Sequence, residues 1–196
     1  MNIDMIRAAA TRLKGNARHT PLLSSPFLDE IAGRRVLVKP ECLQHTGSFK
    51  FRGGWSAMSA MTPEQHANGV IAFSSGNHAQ GVALAAARHN ASAVIVMPAD
   101  APAIKIDNTR KLGAEVVLYD RDTENRDEIG ERIATERNLT LIRPYDEPEV
   151  IAGQGTTGLE IAEDMNALGV TNADVMVCCG GGGLTSGIAL ALAADA

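Results

Sequence analysis

The chain has 196 residues, of which 45% are hydrophobic and 4% aromatic, and its formal net charge is -5. This size allows one substantial core or two small ones. The acidic balance, without any lysine-rich block, argues against nucleic acid and anionic membranes as partners. No apolar run approaches the roughly 20 residues of a membrane helix, and the N-terminus lacks a signal-peptide pattern. The three cysteines suit neither a disulfide framework nor a zinc site, so we expect a reducing cytoplasm.

Hydrophobic periodicity predicts an N-terminal helix, a short strand, and then a regular alternation of strands and helices. The predicted strands cover residues 35–39, 70–73, 93–97, 115–119, 139–142 and 175–179. The predicted helices cover residues 3–15, 55–61, 78–89, 103–112, 123–137, 155–168 and 184–196. Wholly apolar strands that alternate with helices indicate an α/β fold whose parallel sheet is covered on both faces. Ligands of such sheets bind beyond the carboxyl ends of the strands, so the segments after each strand are of interest.

One lysine, Lys50, stands between Phe49 and Phe51, with glycines on both sides of the three residues. Aromatic neighbours desolvate an ammonium group and lower its pKa. A neutral lysine amine is a nucleophile that forms a Schiff base with a carbonyl compound. Taken alone, a surface lysine whose stem passes two core phenylalanines is the more common arrangement, so other segments must decide.

The segment after strand 70–73 is Ser74-Ser75-Gly76-Asn77-His78, at the junction with the next helix. Free amides and the positive end of the helix dipole make such a junction an anion site, suited to a carboxylate or a phosphate. Ordinary N-capping by Ser75 or Asn77 explains one polar residue, but it does not explain five such residues in succession. We therefore interpret the segment as functional, although His78 considered alone is more typical of a structural residue.

A second anion site is predicted after strand 175–179. It consists of Gly180, Gly181, Gly182, Gly183 and Leu184, which open the last helix. Four glycines free successive amides to surround an anion, and phosphate is the natural ligand. A merely flexible loop fits poorly between a buried strand and a helix. Ser186 replaces the third glycine of the dinucleotide fingerprint, and no ribose-binding acid follows, which weakens a nicotinamide-binding interpretation.

A Schiff-base lysine, a carboxylate site and a phosphate site together match the needs of pyridoxal phosphate. With these residues in view, the sequence resembles the fold-type II pyridoxal-phosphate family of serine/threonine dehydratases and serine racemases. The matching motifs, in chain order, are Thr20-Pro21-Leu22, Lys39-Pro40-Glu41, Gly47 to Gly53, Ser74 to His78, Gly153-Gln154-Gly155-Thr156, Glu160-Ile161, and Gly180 to Leu184.

The resemblance implies a role for each matching position. Lys50 would bind the cofactor and move the substrate α-proton, Phe49 would pack against the cofactor ring, and Asn77 would hydrogen-bond the ring hydroxyl. The phosphate would lie on residues 180–184. The implied carboxylate-binding residues are Ser74, Ser75, Gly76 and His78.

The family architecture is also implied: two open, twisted parallel sheets with helices on both faces. Residues 1–60 and 147–196 would belong to the large cofactor domain, and residues 61–146 would form a smaller mobile domain. The family continues beyond residue 196 with the rest of the large domain, a divalent-cation site and the partner of the pyridine nitrogen. We therefore expect a fragment that binds the cofactor weakly alone, has no metal site of its own, and forms a homodimer at full length.

The implied activity is elimination of water from a β-hydroxy amino acid, namely serine, threonine or 3-hydroxyaspartate, to give a 2-oxo acid and ammonia. Racemisation by Lys50 and Ser75 on opposite faces of the substrate is the alternative, and dehydratases also carry this serine. A non-catalytic cofactor-binding domain is a third hypothesis, which the retention of Lys50, Asn77 and the glycines disfavours. Arg126 stands where serine racemases carry an arginine. It would either bind an acidic substrate or form a surface ion pair with Glu131 or Asp122.

Overall fold

The computed structural model describes residues 1–194, and its elements alternate as the sequence predicts. The helices and strands are α1 Ile3–Leu13, β1 Leu23–Ser24, α2 Pro26–Ala32, β2 Leu37–Val38, α3 Lys50–Ser59, α4 Pro63–Asn68, β3 Val70–Phe73, α5 Asn77–Arg88, β4 Ala93–Pro98, α6 Ala103–Lys111, β5 Glu115–Tyr119, α7 Arg126–Arg137, β6 Thr140–Leu141, α8 Pro148–Ala167 and α9 Gly183–Ala194.

Four strands form one parallel sheet in the order β5-β4-β3-β6. The two central strands, β3 and β4, are buried at every position, which explains why their sequences are apolar throughout. Helix α5 packs on one face of the sheet and α7 on the other. The predicted α/β class and parallel sheet are therefore confirmed, and the segments that follow β3 and β6 meet at one edge.

A second layer is helical and surrounds α8, which packs against α1, α3 and α9. Glycines on α8 let the neighbouring backbones approach closely. A Cβ atom on Gly153 would lie 2.3 Å from the Arg52 carbonyl oxygen of α3, and one on Gly187 of α9 would lie 2.8 Å from the Gly155 Cα. Helix α8 begins at Pro148, seven residues before its predicted start, because these glycines are contact points inside the helix and not its boundary.

The prediction of a buried strand at residues 175–179 is wrong. The segment forms no strand, and Met176 is 96% exposed. A strand requires a hydrogen-bonded neighbour, and no residue between 1 and 194 pairs with this segment. The second parallel sheet of the expected architecture is likewise not formed within residues 1–194, where the other sheet is the antiparallel pair of β1 and β2.

Smaller differences concern element ends and short helices. Helix α7 begins at Arg126 instead of residue 123, because the Asn125 side chain accepts hydrogen bonds from the amides of Asp127 and Glu128 and so caps the helix there. Helices α2 and α4 were not predicted. The division into residues 1–60 with 147–196 and residues 61–146 stays a prediction. Within residues 1–194, no helix is both long enough and apolar enough to cross a membrane.

Candidate active site

Lys50 is the first residue of α3 and is partly buried. Its Nζ donates a hydrogen bond to the Pro144 carbonyl oxygen over 2.6 Å and lies 5.2 Å from the centroid of the Phe49 ring. Burial lowers the pKa of Lys50 below its ordinary value. The amine is therefore easier to deprotonate than a surface lysine and better suited to act as a nucleophile or base.

A buried ion network fixes the start of α3. Arg52 is 1% exposed, and its guanidinium donates to both carboxylate oxygens of Glu41 and to both of Glu160, over 2.6 to 2.8 Å. Burial lowers the pKa of Arg52, but the hydrogen bonds to the two carboxylates raise it above the ordinary value. Lys39 binds the Glu160 carboxylate over 2.8 Å as well. The network ties α3 to α8 only two residues beyond Lys50.

Sequence reasoning missed this network. Lys39, Glu41 and Glu160 belong to the motifs that carry the family resemblance, and that was the available signal. Their pairing with Arg52 could not be deduced from the sequence, because Arg52 and Glu160 are 108 positions apart.

The polar segment after β3 lies at the start of α5. The Ser74 hydroxyl accepts a hydrogen bond from the Gly76 amide over 3.2 Å, whereas the Ser75 and Asn77 side chains are exposed. A Cβ atom on Gly76 would lie 2.8 Å from Lys105 Nζ, so the ammonium of α6 lies beside this segment. The unbonded amides of α5 and a neighbouring cation suit an anion. The proximity of Lys105 has no signal in the sequence.

His78 is buried beneath the same segment, with 2% of its surface exposed. Its Nε2 donates to the Ile142 carbonyl oxygen over 3.0 Å, and its Nδ1 has no partner among residues 1–194. Burial lowers the pKa of His78 to about 4. The backbone hydrogen bond opposes this shift and the charge of Lys50 adds to it. The imidazole is therefore neutral near pH 7, and its predicted contact with a substrate carboxylate stays a prediction.

A cavity joins the Lys50 region to the last predicted anion site. It is lined by Phe49, Lys50, Tyr145, Gln154, Cys178, Gly180, Gly181, Gly182, Gly183, Leu184 and Thr185. We call residues 180–183 the glycine loop. Gly182 has φ of 84°, a left-handed conformation that favours glycine, and the first amides of α9 follow directly. The structure thus brings the Lys50 side chain and the glycine loop into the lining of one cavity.

These residues fit pyridoxal phosphate at both ends of the molecule. Lys50 offers an amine for the aldehyde, and the glycine loop offers backbone amides for the phosphate. The side chains of Gln154 and Thr185 are buried in the lining, and their polar atoms have no hydrogen-bond partner among residues 1–194. Unpaired buried polar atoms in a native fold call for a partner, and a polar ligand in the cavity is one explanation.

Arg126 lies in a second cavity, of about 210 Å³, which shares Tyr145 with the first. Its guanidinium stands 5.3 Å from the centroid of the Phe73 ring and forms a 3.4 Å ion pair with Asp127. Arg143 lines the same cavity. Neither Asn77 nor the serines of the segment after β3 line the Lys50 cavity, so their predicted roles toward cofactor and substrate stay predictions.

Comparison with known proteins is consistent with this geometry. The chain matches the family described as pyridoxal-phosphate dependent enzyme over residues 13–196. It is 51% identical to L-threo-3-hydroxyaspartate ammonia-lyase of Pseudomonas sp over 188 residues, and 42% identical to serine racemase of Schizosaccharomyces pombe (strain 972 / ATCC 24843) over 188 residues. Each alignment covers 96% of this chain and 57% of the relative.

Solved structures agree with the sequence relatives. A T.th. threonine deaminase matches with a TM-score of 0.92 and 44% identity, covering all of this chain and 62% of that one. Maize serine racemase matches with a TM-score of 0.94 and 38% identity, covering 99% of this chain and 58% of that one. The chain thus spans little more than half the length of its curated relatives. It belongs to the fold-type II family of pyridoxal-phosphate-dependent enzymes.

Proposed function

We propose that the protein carrying this chain eliminates water from a small β-hydroxy amino acid and releases a 2-oxo acid and ammonia. The observation that carries the proposal is the shared cavity, whose lining includes both the partly buried Lys50 and the glycine loop. The ammonia-lyase and threonine deaminase relatives support the same reaction class. Serine, threonine and 3-hydroxyaspartate are the proposed substrates.

Each wall of the site contributes to the reaction. Bound pyridoxal phosphate supplies an acceptor for the electron pair that is left when the α-proton departs. Lys50 holds that proton on Nζ, and the Pro144 carbonyl oxygen, 2.6 Å away, orients the amine. The amides at the start of α5, with the Lys105 ammonium beside them, bind the substrate carboxylate. Phe49 shields one side of the amine from water.

The test is an assay of the purified protein with pyridoxal phosphate against serine, threonine and 3-hydroxyaspartate, in which oxo acid and enantiomer are both measured. We expect oxo acid from at least one substrate. An absorption band of bound cofactor without turnover of any of the three would favour a non-catalytic binding domain and contradict the proposal.

An acidic substrate is supported by the second cavity. Arg126 and Arg143 both line it, next to Tyr145, which also lines the Lys50 cavity. Two guanidinium groups in a cavity that shares Tyr145 with the Lys50 cavity suit the second carboxylate of 3-hydroxyaspartate. The hydroxyaspartate ammonia-lyase relative from Pseudomonas is in accord with this preference.

Racemisation is the second candidate activity, and the exposed Ser75 hydroxyl favours it. Ser75 has no hydrogen-bond partner within residues 1–194 and is free to act as the acid or base opposite Lys50. Ser75→Ala should lower racemisation by the roughly 10²–10⁴-fold typical of such groups while elimination persists. Equal losses in both activities would contradict this role.

We also propose that the full-length protein is a cytoplasmic homodimer. Phe27 and Ile31 on α2 are 77% and 83% exposed, and an apolar helix face of this kind suits a homodimer. Light scattering of the full-length protein would give the mass in solution.

The three cysteines are free and exposed, which suits the reducing cytoplasm.

A further inference from the structure

Gln154 and Thr185 have buried polar atoms in the cavity lining that the proposed chemistry does not use, and Gln154 is the more deeply buried of the two. It is 1% exposed, and both its Oε1 and its Nε2 lack a hydrogen-bond partner among residues 1–194. Buried amides in native proteins are nearly always hydrogen-bonded, because an unpaired one keeps the full penalty of losing water. Gln154 therefore requires an explanation.

The amide of Gln154 lies between the two walls of the cavity. A Cβ atom on Gly183, the first residue of α9, would lie 2.9 Å from Oε1. A Cβ atom on Gly53, in the helix that begins with Lys50, would lie 3.2 Å from Nε2. One end of the amide thus faces the glycine loop and the other faces α3.

The groups around each end are complementary to an amide. The first amides of α9 have no acceptor within their own helix, and Oε1 faces that end. Main-chain carbonyl oxygens of α3 have a second lone pair that can accept from Nε2.

We propose that Gln154 is a positioning residue that holds the glycine loop in the shape that binds the cofactor's phosphate. By reaching both walls, it also sets the distance between the loop and the helix of Lys50. The inference rests on the cofactor assignment. It adds the residue that sets the position of the phosphate site relative to the Lys50 amine.

A structural role without a ligand predicts different behaviour, and the chain offers a matched control. Thr157, also on α8, is 2% exposed and has an unpaired buried Oγ1, but it does not line the cavity. If unpaired polar groups on α8 matter only for folding, replacing either residue by an apolar one of similar size affects the protein in the same way.

The experiment titrates the purified protein with pyridoxal phosphate and with pyridoxal, which lacks the phosphate, and follows absorbance. Wild type, Gln154→Met and Thr157→Val are compared, and far-UV circular dichroism checks their folding. We expect Gln154→Met to bind pyridoxal phosphate about tenfold more weakly and pyridoxal unchanged, as for the loss of one hydrogen bond between neutral groups. Thr157→Val should bind both compounds as wild type does.

The outcomes separate the inference from the cofactor assignment. Wild-type protein that fails to bind pyridoxal phosphate contradicts the assignment itself. Wild-type affinity for pyridoxal phosphate in Gln154→Met, or an equal loss for pyridoxal, overturns the inference alone.

Should Gln154→Met fail to fold, Gln154→Glu provides the second variant, because it keeps the shape and adds a negative charge. It should weaken pyridoxal phosphate binding more than pyridoxal binding. Equal affinities to those of wild type would overturn the inference.

Discussion

The two walls of the Lys50 cavity are held in place by different means. The lysine wall, α3 with its ion network, is fixed by a guanidinium that is 1% exposed and bonded to two carboxylates. The glycine wall, residues 180–185, follows a segment that forms no strand and contains Met176 at 96% exposure. It is positioned through α9, whose Gly187 packs against Gly155 of α8. The backbone that carries Lys50 is thus fixed by side-chain charges, and the glycine loop by the placement of one helix.

This difference fits the role proposed for each wall. A lysine has four rotatable bonds, so its amine has a defined position only where its backbone and neighbours are rigid. Backbone amides at a helix start already point in one direction and need only a helix that is correctly placed.

Replacing Lys50 should have the largest effect. Lys50→Ala removes the amine and leaves the Arg52 network in place, so we expect turnover and the absorption band of bound cofactor to be lost while the protein still folds. Absorbance, the oxo-acid assay and circular dichroism measure the three quantities. Turnover at the wild-type rate in this variant would contradict the role of Lys50.

Removing the guanidinium charge of Arg52 should lower the stability of the whole fold and not only disturb the site. Arg52→Met leaves the largely buried Glu41 carboxylate without its cation and the Glu160 carboxylate with Lys39 alone. Breaking a buried pair of this kind costs about 3–5 kcal/mol of unfolding free energy. Urea denaturation measures the change. Arg137→Met is the matched control, because Arg137 pairs with Glu115 at an exposed position and its loss should leave stability almost unchanged. Similar stabilities for the two variants would show that the network does not hold the wall.

The packing of α5 beside the end of β6 should respond to pH through His78, whose Nε2 donates to the Ile142 carbonyl oxygen. Its pKa is about 4 in the folded protein and near 6.5 when unfolded, so the unfolded chain binds more protons between these values. Stability is therefore complete above about pH 6.5 and falls by about 3 kcal/mol on acidification to pH 4. Urea titrations of wild type and His78→Gln give this contribution as a difference. A difference that does not change with pH would mean that the imidazole is already charged when folded.

Lys50 and His78 are also coupled, which sharpens the same test. The charge of Lys50 contributes to the low pKa of His78, after burial. In Lys50→Ala the pKa of His78 should therefore rise toward its ordinary value, as measured by NMR titration of the imidazole. No change would indicate that the two groups are electrostatically independent.

The smallest expected effect lies in the outer cavity. Arg126→Ala should raise KM for 3-hydroxyaspartate about tenfold and leave KM for serine unchanged, as for one hydrogen bond to a charged group. Arg132→Ala is the control, because Arg132 lies on the same helix and pairs with Glu136 at the surface. Unchanged KM values for both substrates in Arg126→Ala would mean that Arg126 does not bind substrate and serves only in its surface ion pair with Asp127.

The sequence predicted the sheet well because β3 and β4 are buried on both faces, and burial of that kind leaves a continuous apolar run. It failed at residues 175–179, since an apolar run indicates a strand only where another strand pairs with it. It also misplaced the start of α8, because glycine is read as a helix breaker whereas Gly153 and Gly155 serve as close contacts.

The site was predictable to the extent that it depends on local motifs. The sequence singled out Lys50 and the glycine loop, which line one cavity in the structure, because each is flanked by residues that suit its predicted chemistry. The pairing of Arg52 and the position proposed for Gln154 could not be predicted, because each depends on groups far away along the chain. Such pairings come from the tertiary fold, and a single sequence carries no direct record of them.

The pairing of Arg52 with Glu160 has a consequence for the order of folding. The parallel sheet is built from residues 70–141, a continuous stretch whose strands are joined by short crossovers, so it can form early during synthesis. The lysine wall closes a loop of 108 residues and must wait until α8 has emerged from the ribosome. We therefore expect chains that include all four strands but end before residue 160 to contain a folded sheet. In these chains Lys50 should still have the reactivity of an ordinary surface amine.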